Sequence, residues 1–202
     1  MTLFFERGYD AVTVADIAEN AGLTKRSFFN HFADKREVVF ASADELKASV
    51  LAALTQAGSD LDPLDVAVWA FTQAAAPLAD YAEMARARRA LIDSSPELQE
   101  RDLMKMASIT AAVAGALVRR GVSRRDAIFV SQAATTVFTT AVDEWAREPE
   151  RGLAASIQGA LNDLRAALGS GDQGSSLPEP RGRAAPALSR PPPAVPSPGA
   201  RR

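Results

Sequence analysis

A chain of 202 residues with 47% apolar and 24% charged residues has the composition of an ordinary soluble globular protein and is long enough to bury a sizeable core. It contains no Cys, which excludes a disulfide scaffold and any thiolate metal site, and its net charge of −2 excludes a protein that coats nucleic acid through a general basic excess. No apolar run approaches the roughly 20 residues that span a bilayer, and the first residues do not resemble a signal peptide. We therefore expect a cytoplasmic protein with no membrane partner.

The residue types favour helices along the whole chain. Ala, Leu, Arg and Glu are abundant, and no stretch sustains the alternation of apolar and polar residues that marks a strand. The predicted fold class is therefore all-α, with an N-terminal helix-turn-helix head, a C-terminal helical bundle and a disordered C-terminal tail.

The stretch from residue 8 to residue 40 predicts two short helices joined by a tight turn. Thr13 and Asp16 form a capping pair, because the hydroxyl can accept from a free amide and the carboxylate favours the positive end of the helix dipole. The apolar stripe of this first helix consists of Val14, Ile17, Ala18 and Ala21. Gly22 ends the helix and Thr24 caps the next one after about three residues, the turn length of a helix-turn-helix.

The second short helix is predicted from Lys25 to about Phe32, and its two sides differ. Phe28 and Phe32 are four residues apart and are expected to face the first helix. The other side carries Arg26, Ser27 and Asn30, flanked by Lys25 and Phe29. Such a face suits the major groove, where Lys and Arg reach guanine, Asn pairs with adenine and hydroxyls bind phosphate. This helix is therefore the predicted DNA-reading element.

A longer helix follows the head. Asp34 and Glu37 form another capping pair, and the apolar spacing predicts one continuous helix from Lys35 to about Ala57. Its stripe consists of Val39, Ala43, Leu46, Val50, Ala53 and Ala57. A lysine at the start of this helix could meet a phosphate, and the helix as a whole could couple the head to the bundle.

Five further helices are predicted after Gly58, from caps, helix-favouring prolines and apolar stripes. They begin at Asp62 with Pro63, near Tyr81, at Ser95 with Pro96, at Ser123 with Asp126, and at Leu153. The first of them is expected to include Pro77, the fourth to reach about Arg147, and the last to end at Leu168.

The composition changes at Ser170. The segment from residue 170 to residue 202 holds eight of the twelve prolines and no aromatic residue, so it is predicted to be disordered. Its arginines outnumber its acids, and a basic arm that touches DNA is the alternative to a solvated appendage. The predicted domains are a DNA-binding domain at 1–45, a ligand-binding and dimerisation domain at 46–169, and the tail at 170–202.

One group of side chains in the bundle could line a cavity, because binding sites in helical bundles are mostly apolar with a few polar anchors. The candidates are Trp69, Tyr81, Met84, Arg88, Met104, Phe129 and Gln132. Arg88 and Gln132 are the natural polar anchors. Each of these residues could instead belong to an ordinary core.

A second group forms apolar stripes on the last two helices. It comprises Val130, Val137, Ala141, Trp145, Ile157, Leu161 and Leu164. Two copies of this helix pair could associate as a four-helix interface between the chains of a homodimer. The alternative is that both stripes only close the core of one chain.

The head also carries a longer pattern at fixed spacing, made of Gly8, Thr13, Ile17, Ala18, Ala21, Gly22, Leu23, Thr24, Phe28, Phe29, His31, Phe32 and Lys35. This pattern resembles the N-terminal signature of TetR/AcrR-family transcriptional regulators. The resemblance implies that Thr13, Ser27, Phe29, His31 and Lys35 lie at the phosphate backbone, and that Thr24, Lys25, Arg26 and Asn30 approach base edges. It also favours an effector cavity in the bundle and a homodimer.

The head departs from that family in two respects. Phe29 stands where the family usually has Tyr, so one hydroxyl that would contact a phosphate is absent. Only Thr2 to Arg7 precede Gly8, whereas the family's first helix is normally longer and preceded by a basic arm. We therefore expect weaker specific DNA binding than a full-length homologue would show, together with weak non-specific binding.

The resulting prediction is a homodimeric TetR-like repressor that binds a pseudo-palindromic operator in double-stranded DNA and responds to an unknown small-molecule effector. The alternative is a helical ligand-binding dimer whose DNA binding is impaired or lost because the first helix is truncated. A small helical enzyme is a further rival, but His31 is the single histidine and has no nearby nucleophile or second ligand in the sequence. We therefore predict no catalytic residue, no metal site and no cofactor.

Overall fold

The computed structural model describes residues 1–58 and 61–169, which fold into ten α-helices and two short 3-10 helices without a β-strand. The helices are α1 (Thr2–Arg7), α2 (Val14–Asn20), α3 (Lys25–His31), α4 (Arg36–Val39), α5 (Ala41–Gln56), α6 (Pro63–Ala75), α7 (Ala82–Asp93), α8 (Pro96–Arg119), α9 (Arg124–Arg147) and α10 (Leu153–Gly169). The predicted all-α class is confirmed. The predicted tail at 170–202 lies outside the described residues. Within the described ranges, no helix combines the length and the apolar character needed to cross a membrane.

The helix-turn-helix is formed by local signals that the sequence contains. The Thr13 hydroxyl accepts from the Asp16 amide at 3.2 Å, and the Asp16 carboxylate accepts from the Thr13 amide at 2.7 Å. At the other end of α2, Gly22 has a φ of +65°, and the Leu23 amide donates to the Ala18 carbonyl at 2.8 Å. This left-handed glycine ending stops α2 and turns the chain toward α3.

The prediction of one continuous helix from Lys35 to Ala57 is wrong, because the chain breaks at Phe40, between α4 and α5. Phe40 leaves helical geometry, with φ −110° and ψ 14°, and its amide donates to the Glu37 carbonyl three residues back at 3.2 Å. Val39 and Phe40 are only 3% and 1% exposed. The break lets two successive apolar residues enter the same core, which the spacing rules for a straight helix do not anticipate.

Most other helix starts agree with the prediction. Asp62, Ser123 and Leu153 begin their helices as expected, the first two through side-chain caps. α6 ends before Pro77, which lies in a 3-10 helix, because proline has no amide to continue the α-helical hydrogen bonds. Ser95 occupies the N-cap position of α8, but its hydroxyl makes no capping hydrogen bond with the amides of this helix.

The bundle core lies between α5, α6, α8, α9 and α10. Phe71 of α6 and Phe138 of α9 stack at its centre, with ring centroids 4.8 Å apart and ring planes 20° apart. Many of the surrounding core positions are small, including Ala67, Ala70, Ala127, Ala134 and Ala141, all fully buried. Small side chains let the helices pack closely around the aromatic pair.

A second apolar cluster holds the head against the bundle. The buried rings of Phe4 in α1 and Tyr9 lie 5.6 Å apart, centroid to centroid. They share this cluster with Phe40 at the break and with Leu91 of α7. The chain up to Gly169 forms one compact unit, and the domain boundary after residue 45 stays a prediction.

Burial corrects most of the predicted dimer interface. The side chains of Val137, Ala141, Trp145, Ile157 and Leu161 are only 0–3% exposed in the single chain, where they belong to the bundle core. A side chain without exposed surface cannot form an interface with a second copy, so these five residues close the core of one chain. Val130 and Leu164 are half-buried at the edge of that core and stay interface candidates.

Candidate nucleic-acid interface

The helix α3 turns one side toward α2 and the other toward solvent. Phe28 is 2% exposed, and its ring centroid lies 5.3 Å from that of Phe32 and 5.4 Å from that of Phe29. The solvent side carries the exposed residues Lys25, Arg26 and Asn30. The side chains of these three residues make no hydrogen bond or ion pair with any described residue. Their polar groups are therefore available to an external partner.

Thr24 and Ser27 stabilise the start of α3. Thr24 Oγ1 accepts from the Ser27 amide at 3.1 Å and lies 3.0 Å from the Ser27 hydroxyl oxygen. Thr24 is thus the N-cap that the sequence predicts. A hydroxyl has one donor and two acceptor lone pairs, so both side chains keep capacity for a further hydrogen bond. It stays a prediction that Thr24 contacts a base edge and that Ser27 contacts a phosphate.

Thr13, another predicted phosphate contact, lies at the start of α2 beside an acid. Its hydroxyl donates to Asp16 Oδ2 at 2.6 Å. Hydrogen bonds from Thr13 hold the pKa of the Asp16 carboxyl below its usual value, so Asp16 is ionised at neutral pH. A carboxylate at this point repels a phosphate, which makes Thr13 the least favourable of the predicted contacts on electrostatic grounds.

Lys35 is tied to the head itself. Its Nζ donates to the Tyr9 carbonyl at 2.9 Å and lies 4.0 Å from the centroid of the Tyr9 ring. Burial raises the pKa of Tyr9 to about 12, so the phenol beneath the ammonium stays neutral. A lysine ammonium has three donors, so a phosphate could bind Lys35 without breaking the bond to Tyr9.

Two further predicted phosphate contacts lie on α3. His31 is exposed in its last turn, where a cationic imidazole would face the negative end of the helix dipole. Phe29 is 55% exposed, and its ring has no hydroxyl to donate. Phe29 is therefore limited to apolar contact with a sugar or a thymine methyl group.

Asp34 caps the short helix α4 that follows the DNA-reading element. Its carboxylate accepts from the Arg36 amide at 2.8 Å, from the Glu37 amide at 3.3 Å and from Arg36 Nε at 3.0 Å. The hydrogen bonds from Arg36 hold the pKa of Asp34 below its usual value. The predicted pair of Asp34 and Glu37 therefore does start a helix, with Asp34 as the side chain that caps it.

Replacing Asp34 with alanine should lower the free energy of unfolding by about 1 kcal/mol at neutral pH, because α4 loses its cap. A carboxyl whose pKa is depressed in the folded chain stabilises it above the unfolded pKa of about 4, and this stabilisation is lost as the pH falls through the folded value. The difference in unfolding free energy between the variant and the native chain, measured by urea unfolding, should therefore narrow as the pH falls below about 4. Asp10→Ala, an exposed acid of the same head, should change the unfolding energy by less than about 0.5 kcal/mol. A deficit for Asp34→Ala that is the same at every pH would contradict this role.

The predicted ligand-binding residues do not surround a common cavity. Tyr81, Met84, Met104, Phe129 and Gln132 are exposed on the surface, and Trp69 and Arg88 are half-buried. Arg88 donates to the Val39 carbonyl and to Asp102, so it does not point into a cavity as an anchor. The assignment is corrected because helical spacing alone cannot tell an inward-facing apolar residue from an exposed one in a bundle of several layers.

A cavity of about 780 Å³ lies elsewhere, where α5 meets α6 and α8 meets α9. It is lined by Ala57, Leu61, Asp62, Pro63, Val66, Leu117, Arg120, Gly121, Val122, Ser123, Asp126 and Val130. None of the seven predicted ligand residues belongs to this lining.

Comparison with known families matches most of the described chain. Residues 1–41 match the family of bacterial regulatory proteins called the tetR family, and residues 61–169 match the MftR C-terminal domain. The second match covers more than half of the 202 residues.

Three curated relatives share part of the sequence. The chain is 41% identical over 63 residues to the Probable HTH-type transcriptional regulator ArpR of Pseudomonas putida, covering 30% of each protein. It is 37% identical over 71 residues to the HTH-type transcriptional regulator TcmR of Streptomyces glaucescens, covering 35% of this chain and 31% of TcmR. It is 40% identical over 63 residues to the HTH-type transcriptional regulator TtgR, also of Pseudomonas putida, covering 30% of each. The matched part spans about a third of the length of these relatives.

Two solved structures resemble the chain over most of its length. The TetR-family regulator PfmR from Thermus thermophilus matches with a TM-score of 0.45 and 24% identity, over 81% of this chain and 93% of PfmR. A protein described as a TetR-family transcriptional regulator from Mesorhizobium loti matches with a TM-score of 0.48 and 24% identity, over 79% of this chain and 90% of its own.

Proposed function

The chain belongs to the TetR family of DNA-binding transcriptional regulators, and we propose that it is a repressor that binds a pseudo-palindromic operator as a homodimer. Members of this family are regulators and not enzymes. The observation that carries the proposal is the solvent face of α3, where Lys25, Arg26 and Asn30 project from a helix that Phe28 fixes from behind. These side chains suit guanine and adenine edges in the major groove. The test is selective binding to DNA from upstream of the chain's own gene.

The proposed roles divide the compact unit into two parts. Residues 1–45 read the operator, while residues 46–169 bind the effector and the second copy. Around the reading face, the phosphate contacts proposed for Thr13, Ser27, Phe29, His31 and Lys35 would fix the register of α3 without reading sequence, and Thr24 would approach a base edge. Operator binding places the protein in the compartment that holds the DNA, which is the cytoplasm of a bacterium.

The proposed dimer follows from the symmetry of a pseudo-palindromic operator. Two heads must enter successive major grooves about 34 Å apart, which a two-fold symmetric pair of chains achieves. With five stripe residues buried in the core, the interface is proposed on the outward faces of α9 and α10, beside Val130 and Leu164. Phe129 on α9 is 63% exposed, and a second copy would remove its ring from water.

The proposed effector site is the cavity between the ends of α5 and α8 and the starts of α6 and α9. Its volume of about 780 Å³ lies in the range of roughly 300–1,000 Å³ that holds small molecules. Leu61, Val66 and Leu117 contribute to its apolar walls, while Asp62 and Arg120 supply polar groups. Ser123 and Asp126 also belong to the lining, which therefore suits a small molecule that carries both apolar and hydrogen-bonding groups.

Arg120 gives the cavity a physical connection to the helix that leads to the head. Its Nη1 donates to the Leu54 carbonyl at 2.8 Å and to the Ala57 carbonyl at 3.1 Å, and its Nη2 donates to the Gly58 carbonyl at 2.7 Å. These carbonyls lie at the end of α5, whose other end meets α4 at Phe40. An effector that changes the position of Arg120 would therefore move α5. The effector must prefer one position of α5 for its binding to change operator affinity.

Filling the cavity should abolish its binding of apolar molecules. Val130→Trp places a large ring in the lining, and we expect the fluorescence titration of an apolar dye such as anilinonaphthalene sulfonate to show at least about tenfold weaker binding. Gln132→Trp, on the same helix but outside the lining, is the matched control and should bind dye like the native chain. Equal dye binding by both variants would remove the cavity from the effector proposal.

The alternative, a ligand-binding dimer with impaired DNA binding, is less well supported. It requires a head that the short first helix leaves poorly packed. Phe4 of α1 is 2% exposed and shares an apolar cluster with Tyr9, Phe40 and the helix α7. The packing of α1 in this cluster gives no reason for the head to be loose.

A further inference from the structure

The break between α4 and α5 is surrounded by groups from the bundle. α4 directly follows the DNA-reading helix, and α5 runs into the bundle core, so the backbone at Phe40 and the apolar cluster around Phe4 and Tyr9 together set the direction of the head. A group that fixes the backbone at Phe40 therefore helps to fix the head relative to the bundle.

Arg88 of α7 makes two contacts with the break and one contact with α8. Its Nε donates to the Val39 carbonyl at 3.2 Å, and its guanidinium carbon lies 5.1 Å from the centroid of the Phe40 ring. Its Nη2 lies 3.3 Å from Oδ1 of Asp102 on α8. A single side chain thus joins the last residue of α4, the break itself, α7 and α8.

The guanidinium of Arg88 is partly removed from water. Burial lowers the pKa of the guanidinium from its ordinary value, and Asp102 offsets part of that effect. The guanidinium nevertheless stays charged, because arginine does not lose its proton in proteins. The side chain of Arg88 is 31% exposed, and the Val39 carbonyl, the Phe40 ring and Asp102 offset the water that its guanidinium has lost.

A second set of ion pairs flanks the same break. On the α4 side, Glu37 accepts from Arg101 Nε at 2.6 Å and lies 3.2 Å from Lys105 Nζ. On the α5 side, Lys105 Nζ donates to Asp44 at 3.1 Å. Lys105 of α8 therefore holds both sides of the break, while Arg88 holds its centre.

We propose that Arg88 is a positioning residue for operator binding, which fixes the angle between α4 and α5 and thereby the separation of the two heads. The part of this proposal that concerns the separation of the heads rests on the proposed function. The part that concerns the angle between α4 and α5 does not. The sequence predicts Arg88 as an effector anchor, and the geometry gives it this different role. Arg88 contacts the Val39 carbonyl at the end of α4 and lies on α7, outside the reading face of α3.

Arg86 provides a matched control on the same helix. Its Nε donates to the Ala146 carbonyl at 2.7 Å and its Nη2 to the Arg147 carbonyl at 3.2 Å, at the end of α9. Arg86 therefore also binds backbone carbonyls from α7, but it holds a part of the bundle away from the break. Loss of Arg86 costs comparable hydrogen bonds without releasing the head.

Amide hydrogen exchange tests the proposal without DNA. In Arg88→Ala, exchange across residues 36–43 should accelerate at least about tenfold while exchange across α6 stays native, because only the break opens locally. Arg86→Ala should leave residues 36–43 unchanged. Asp102→Asn keeps Arg88 but removes its ion pair, together with the contact of Arg89 Nη1 to the same carboxylate at 3.7 Å. This variant should give an intermediate acceleration, and it serves as a second test if Arg88→Ala does not fold. Native exchange at 36–43 in Arg88→Ala, or equal acceleration in both arginine variants, would overturn the proposal.

The preference of the protein for one spacing between the operator half-sites would not change if Arg88 only stabilised the fold. Duplexes whose half-sites are shifted by one base pair in either direction should bind the native chain less tightly than the correctly spaced site. Arg88→Ala should lose most of this spacing preference, and Arg86→Ala should keep it. A spacing preference retained by Arg88→Ala contradicts the proposal while leaving the repressor intact. Absence of operator binding by the native chain contradicts the proposed function, and the exchange result still decides whether Arg88 fixes the break.

Discussion

Replacing Trp145 with alanine should lower the free energy of unfolding by about 3–5 kcal/mol, the range for truncating a large buried aromatic residue. Trp145 on α9 is 1% exposed in the core of the single chain, so alanine leaves a cavity that the neighbouring helices only partly close. The measurement is urea unfolding followed by circular dichroism, at a dilution where sedimentation shows monomers. Such a loss is a large part of the stability of a typical domain, about 5–15 kcal/mol, so partial unfolding at physiological temperature is expected.

Phe129→Ala on the same helix is the matched comparison. Phe129 is 63% exposed, so its truncation should change the unfolding of the monomer by less than about 0.5 kcal/mol. It should instead weaken the proposed dimer, because the proposed interface buries this ring against a second copy. A Trp145→Ala variant with native monomer stability and weaker association would return Trp145 to the interface.

Replacing Lys25 or Arg26 with alanine should each weaken binding to the cognate operator by about 1–3 kcal/mol, if the residue pairs with a base. Both side chains are exposed on α3 and make no hydrogen bond or ion pair with a described residue, so their loss should leave folding unchanged. Fluorescence anisotropy of labelled duplexes measures the change. A base contact also predicts that the preference for cognate over scrambled DNA falls, whereas a phosphate contact would weaken both duplexes alike.

Lys47→Ala is the control for the loss of a positive charge. Lys47 lies on α5, outside the reading face, and its Nζ donates to Ser108 Oγ at 2.9 Å. Operator affinity should therefore stay within about threefold of native, because a distant surface charge is screened. An unchanged affinity for Lys25→Ala or Arg26→Ala would remove that residue from the base readout.

The helix starts and ends could be predicted from the sequence because they depend on neighbouring residues. The capping box of Thr13 with Asp16 and the left-handed Gly22 need only a few residues to form. Thr24 and Ser123 are N-caps for the same local reason. The exposed polar face of α3 could also be predicted from the sequence, because Phe28 and its neighbours determine which side of this short helix is buried.

The burial of the bundle helices could not be predicted in the same way. A stripe such as Val137 and Trp145 shows that one face of a helix is buried, but either the same chain or a second copy can bury it. Exposed Phe129 and Met104 have the same residue types as core positions, and only the packing of distant helices distinguishes them. The break at Phe40 likewise packs against Arg88, which lies 48 positions later in the sequence.

The central claim is that the face of α3 reads an operator, and fluorescence anisotropy of the purified 202-residue chain with DNA from upstream of its own gene tests it most directly. A scrambled duplex and two salt concentrations serve as comparisons. We predict tight binding that prefers the upstream DNA and weakens as salt rises, because phosphate contacts release counterions. Equal binding to both duplexes, or no binding at either salt concentration, would contradict the claim.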